Sequence, residues 1–113
     1  MGKNITIDYE SQKYILEFNR QAIVELEKDG ISVDDIESLA DGKSKKYVTI
    51  TTKLIHRAFY MHHQNVSEDL AMKIFSAIPD KQKFLVGIIE LFSEPIIALT
   101  NGEQGNVSWE LNK

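Results

Sequence analysis

The sequence predicts a small α+β domain: an N-terminal antiparallel β-hairpin packed against three to four α-helices. Two observations carry this. Apolar residues alternate with polar ones up to Phe18 and then recur at helical spacing. The chain has 113 residues, 42% hydrophobic and 27% charged, the balance of one modest core rather than of a disordered or multidomain chain.

Ile5, Ile7 and Tyr9 share one face of a first strand, expected over residues 4–9. Tyr14, Leu16 and Phe18 do the same in a second, over 13–18, with Glu10-Ser11-Gln12-Lys13 as the turn. Two strands alone are marginal in water, so the following helices must cover their apolar face. Asn19 is a good N-cap for a helix with Ala22, Ile23 and Leu26 inward, and Gly30 is a natural stop. Ser32 to Leu39 reads as a short helix or turn capped by Ser32, and Asp41-Gly42-Lys43-Ser44 as a loop.

Tyr47 to His63 contains a β-branched run, Val48-Thr49-Ile50-Thr51-Thr52, that favours a strand. The longer pattern favours a helix, because Tyr47, Val48, Ile50, Leu54, Ile55, Ala58, Phe59 and Met61 fall on one half of the wheel. Ser67 caps the next helix, with Glu68 and Asp69 in its first turn, where the helix dipole favours acids. Leu70, Ala71, Ile74, Phe75 and Ile78 form its inner face, and Pro79 ends it. Asp80 caps a last helix whose stripe is Phe84, Leu85, Ile88, Ile89, Leu91, Phe92, Ile96 and Leu99. Pro95 lacks a backbone donor and is expected to kink or interrupt it, and Asn101-Gly102 to close it. A single domain is thus expected over 1–102. A polar tail follows over 103–113, where Val107, Trp109 and Leu111 alternate as in an added strand or a disordered end.

Cysteine is absent, which excludes disulfides, a thiol nucleophile and a cysteine zinc site. Seventeen acids against thirteen bases give −4, a poor balance for non-specific nucleic-acid binding. No secretory leader or membrane segment is expected, since the longest apolar stretch, Phe84 to Phe92, is broken by Gly87 and Glu90. His56 and His63 stand seven apart without a third ligand nearby, so no metal is expected. His62 falls on the apolar half of its helix and reads as a packed, hydrogen-bonded core residue. No serine has a nucleophile-elbow setting, no glycine loop cradles phosphate, and Asp34 and Asp35 read as a solvated face. Neither an enzyme nor a cofactor is expected.

Charge is segregated: residues 25–41 hold seven acids and one base, and residues 43–57 hold five bases and no acid. The simplest arrangement has the two blocks facing each other, and the alternative is a partner or a second copy steered by them. Val86 and Ile97 lie off the main stripe of the last helix, Tyr60 lies off that of the third, and Trp109 sits in the tail. These four are the candidate partner-binding residues.

The order of motifs resembles a family of small tail-assembly proteins, often described as tail assembly chaperones, of long-tailed phages and prophages of Gram-positive bacteria. The resemblance rests on Ile5-Thr6-Ile7 and Tyr14-Ile15-Leu16-Glu17-Phe18 running into Asn19 to Glu27, then Gly30-Ile31-Ser32, Ala58-Phe59, His62-His63, Leu91-Phe92-Ser93-Glu94-Pro95-Ile96 and Gly105 to Trp109. Asp41 to Thr52 departs most from the pattern. The resemblance implies a non-enzymatic protein in the host cytoplasm, without cofactor, that keeps the tape-measure protein soluble and recruits tail-tube subunits. Its rival is a structural or adaptor subunit retained in the finished tail.

Overall fold

The computed structural model describes residues 3–100, 108 and 110–112. The α+β class is as expected. Strands β1 (Ile5–Tyr9) and β2 (Gln12–Leu16) pair antiparallel, with Ile5 opposite Leu16, Ile7 opposite Tyr14 and Tyr9 opposite Gln12. The loop is only Glu10 and Ser11, with φ of 49° and 65°. Two consecutive left-handed residues make the tight turn whose twist matches that of paired strands. Gln12 and Lys13, expected in the turn, are therefore strand residues. Neither Glu nor Ser signals such a turn, so sequence pattern lengthened it.

Five helices follow, rather than three or four, because the segment after Ser32 is a complete helix. They are α1 (Arg20–Lys28), α2 (Val33–Ala40), α3 (Tyr47–Tyr60), α4 (Glu68–Ala77) and α5 (Lys81–Thr100). Four of them begin on the expected caps, α5 among them, where Asp80 Oδ1 accepts from the Lys83 N–H at 3.3 Å. Asn19 Oδ1 accepts from the Ala22 N–H at 2.8 Å, and Ser67 Oγ from the Leu70 N–H at 3.1 Å. Ser32 and Asp35 cap each other reciprocally, each side chain accepting from the other's backbone N–H. The Ser32 N–H and then the Ser32 hydroxyl, both donating to Asp35 Oδ2, hold that carboxyl below the usual carboxylate range. Gly30 takes φ +83°, the left-handed stop after α1.

α3 is helical through its β-branched run, so the long period prevailed over local propensity. It ends at Tyr60, three residues before the expected end at His63. That early end corrects three assignments, since residues past it no longer follow the helical wheel. Met61 is exposed. His62 is exposed rather than in the core, and its Nε2 lies 3.0 Å from Glu17 Oε1. His63 is the histidine that packs, edge-on to Tyr14 at 5.1 Å between ring centres. At the other end Tyr47 and Val48 are exposed in the first turn, and burial begins at Ile50.

The core joins the hairpin to α3 and α5. Leu16 is completely buried, Tyr14 meets Phe59 edge-on at 5.6 Å, and Phe18 meets Phe92 at 5.8 Å. Leu54, Ile55 and Ala58 of α3, Ala71 and Ile74 of α4, and Leu85 and Ile88 of α5 complete it. The outer edge of β2 is tied to the end of α3: the Ile15 N–H donates to His63 Nε2 at 2.9 Å and the Glu17 N–H to the Ala58 carbonyl at 3.0 Å. Helix α5 runs through Pro95 without the expected interruption. Beyond the proline, however, nothing is fully buried, and Leu99 is 66% exposed instead of extending the inner stripe. No helix among the described residues is long and apolar enough to cross a membrane.

Candidate functional site

The outward face of α5 carries a strip of exposed and half-buried apolar residues. Val86 and Ile97 are eleven residues apart, three helical turns, and so project from one side of the helix. They are 42% and 48% exposed. Ile89 lies between them, and Glu90, Ser93 and Glu94 complete that side of a shallow groove of about 220 Å³. Ala40 of α2 and Lys3, just before β1, close it. The floor is apolar, with two carboxylates along one wall and an ammonium on the other. Ile97 carries the strip past Pro95, while exposed Leu99 lies on the other side of the helix.

The hairpin does not cover this strip. It docks on the same helix one residue away, where a Cβ built at Gly87 would stand 3.3 Å from Ile5 Cδ1. The missing side chain lets β1 come close to α5 while Val86 stays outside. The sequence placed Val86 and Ile97 off the inner stripe, and the structure brings them into one groove.

Tyr60 belongs elsewhere. It is exposed, with the Arg57 guanidinium 5.1 Å from its ring centre. The groove it lines contains Asn19, Glu25, Arg57, Met61 and Gln64, and shares no residue with the α5 groove. Trp109 lies outside the described residues. Leu99 and Met61 are exposed apolar residues that sequence reasoning assigned to buried stripes. Only the lack of a covering element beyond Pro95 and the early end of α3 distinguish them.

The charge blocks do face each other. Asp29 and Asp35 stand across a cleft of about 430 Å³ from Lys43, Lys45 and Lys46. No ion pair links the two blocks among the described residues; pairing goes instead to Glu68, whose Oε2 accepts from Lys53 Nζ at 2.7 Å and lies 4.0 Å from His56 Nδ1. That contact holds the Glu68 carboxyl below its ordinary value and Lys53 above its own. His56 Nε2 is 2.9 Å from the Val66 carbonyl oxygen, closing the loop between α3 and α4. Among the described residues no three His, Asp or Glu side chains converge as a bound metal requires.

Fold and surface define a small α+β domain with one face of α5 left exposed among the described residues. The chain belongs to the family described as a domain of unknown function, DUF5055, which matches residues 1–112. No curated protein and no solved structure matches it.

Proposed function

We propose that the chain is a non-enzymatic tail-assembly chaperone of a phage or prophage, acting in the bacterial host cytoplasm, where it binds the tape-measure protein and recruits tail-tube subunits. The order of motifs resembles that class, and the observation that supports binding is the α5 strip of Val86, Ile89 and Ile97. A tape-measure chain is long, rich in amphipathic helix and sticky when alone. Such a client is matched by a shallow apolar groove with a polar rim, into which a helix lays one face. Glu90 and Glu94 on one wall favour basic residues flanking that face, and help select register.

Co-expression with the tape-measure protein tests the reading. Val86→Asp and Ile97→Asp are expected to leave melting unchanged within about 0.5 kcal/mol, as exposed substitutions do. Each is expected to release the client into the insoluble fraction, since a buried anchor contributes ~2 kcal/mol or more to binding. Tyr60→Ala, in the other groove, is the comparison and is expected to retain the client. An unmutated chain that fails to solubilise the client overturns the chaperone reading. Recovery of the chain at fixed copy number in purified virions would make it a structural or adaptor subunit instead.

A further inference from the structure

Among the described residues, β1 presents the longer open edge of the hairpin. On β2 the outward N–H of Ile15 is taken by His63, and the next one along, that of Glu17 just past the strand, by Ala58; only Lys13, beside the turn, has its outward N–H without a partner among the described residues. On β1, Ile5, Ile7 and Tyr9 face the ladder, so the outward groups belong to Thr6 and Asp8. Neither N–H has a partner among the described residues. Along this edge runs a groove of about 290 Å³, lined by β1 on one side and by Ile74, Ile78 and Phe84 among others on the opposite side. Asp8 is its one charged lining residue.

An open strand edge beside an apolar groove takes an extended segment whose alternate residues are apolar. Outside the hairpin, the tail offers that alternation: Val107, Trp109 and Leu111, separated by Ser108 and Glu110. We propose that Val107–Leu111 of a second copy adds to β1 as a third strand, reciprocally, to form a strand-exchanged dimer. This reading is independent of the tail-assembly proposal.

Charge selects the direction. With Trp109 centred on Ile7, a parallel strand puts Glu110 opposite Asp8, whereas an antiparallel strand puts Ser108 there and Glu110 opposite Thr6. Like charges directly opposite are destabilising, so the strand is antiparallel and Val107 stands beside Tyr9. Reach then selects the donor. β1 meets α5 at Gly87, and Lys3, before the strand, lies among Ser93 and Ile97, so β1 runs away from the end of α5. From Gly87 to Thr100 is ~20 Å of helix, and from Ile5 to Tyr9 a further ~13 Å of strand. The seven peptide steps from Thr100 to Val107 span at most ~25 Å. A chain's own tail falls short, and in the single chain Leu111 is 72% exposed. A second copy meets no such limit.

Sedimentation velocity of the full chain over a concentration series tests this, with circular dichroism checking the fold of each variant. The unmutated chain is expected to dimerise, and Trp109→Ala to weaken the dimer by at least ~30-fold, the truncation cost of a buried aromatic anchor. Asp8→Pro deletes an outward N–H outside the β1–β2 ladder and is expected to do likewise. Mixing the two variants leaves one intact edge with one intact tail, so the mixture is expected to associate where neither variant does alone. A chain that stays monomeric, a dimer indifferent to Trp109→Ala, or a mixture that fails to associate each overturns the proposal.

Discussion

Two side chains show how much a single group's partners decide. Thr51 is 1% exposed in the middle of α3, and its hydroxyl has no hydrogen-bond partner among the described residues. A buried hydroxyl without a partner carries its full desolvation cost, and valine has the same shape without that cost. Thr51→Val is therefore expected to stabilise the fold by about 1 kcal/mol, raising the melting temperature by about 4 °C. The Lys53–Glu68 pair has the opposite character. Both side chains are more than a third exposed, so the pair contributes at most ~1 kcal/mol. Glu68 has a lowered folded value, so its share is complete above the ordinary glutamate value, about 4.3, and is lost as pH falls through the lower folded value. Lys53 has a raised one, so its share is complete below the ordinary lysine value and is lost as pH rises through the higher folded value. Urea unfolding of the unmutated chain and Lys53→Met is expected to differ at neutral pH and to converge in acid. A difference that persists in acid would assign the effect to packing of the lysine stem.

At the scale of elements, α5 contains two residues that disfavour a helix, and they act differently. Pro95 removes one internal hydrogen bond, yet the helix continues through Thr100, because buried Leu91 and Phe92 anchor the turn before it. Gly87 is where the hairpin docks. Alanine there gains helix propensity of about 1 kcal/mol but meets the tip of Ile5 at 3.3 Å, tighter than ordinary contact. Ile5 is only partly buried and its Cδ1 is the far end of a flexible side chain. Gly87→Ala is therefore expected to stabilise by about 0.5 kcal/mol, and Gly87→Leu to destabilise by 1 kcal/mol or more by lifting β1 off the helix. Chemical denaturation of the two variants checks both signs. Destabilisation by alanine would show that β1 cannot yield at that contact.

For the whole molecule, a hairpin that is marginal alone becomes one cooperative unit with the helices. Leu16 is completely buried on the sheet face they cover, and the outer edge of β2 is tied to the end of α3 through Ala58 and His63. Leu16→Ala is expected to cost about 2–5 kcal/mol, a large part of the roughly 5–15 kcal/mol of such a domain. Helical ellipticity and the near-ultraviolet dichroism of the tyrosines, to which buried Tyr14 of β2 contributes, should both report the earlier unfolding in urea. Loss of the hairpin with the helices still standing would contradict a single core.

Sequence by itself determined the hairpin faces, because in a period-2 pattern a one-residue slip turns the core residues outward. It determined the caps Asn19, Ser32 and Ser67, whose side chains answer to backbone donors three residues away. It also separated Val86 and Ile97 from the inner stripe, since an angle around a helix is set by spacing alone. Tertiary structure decided the rest. Where α3 stops settled which of two adjacent histidines is inside, because the wheel holds only while the helix does. The reach of neighbouring elements along α5 left Leu99 exposed although it continues the stripe, because burial needs an opposing surface as well as an apolar face. Only the fold shows that the α5 groove is closed by Lys3 and Ala40, that Tyr60 lies in a separate groove, and that one edge of β1 is open among the described residues. Those are contacts between segments far apart in the chain, and no local spacing encodes them.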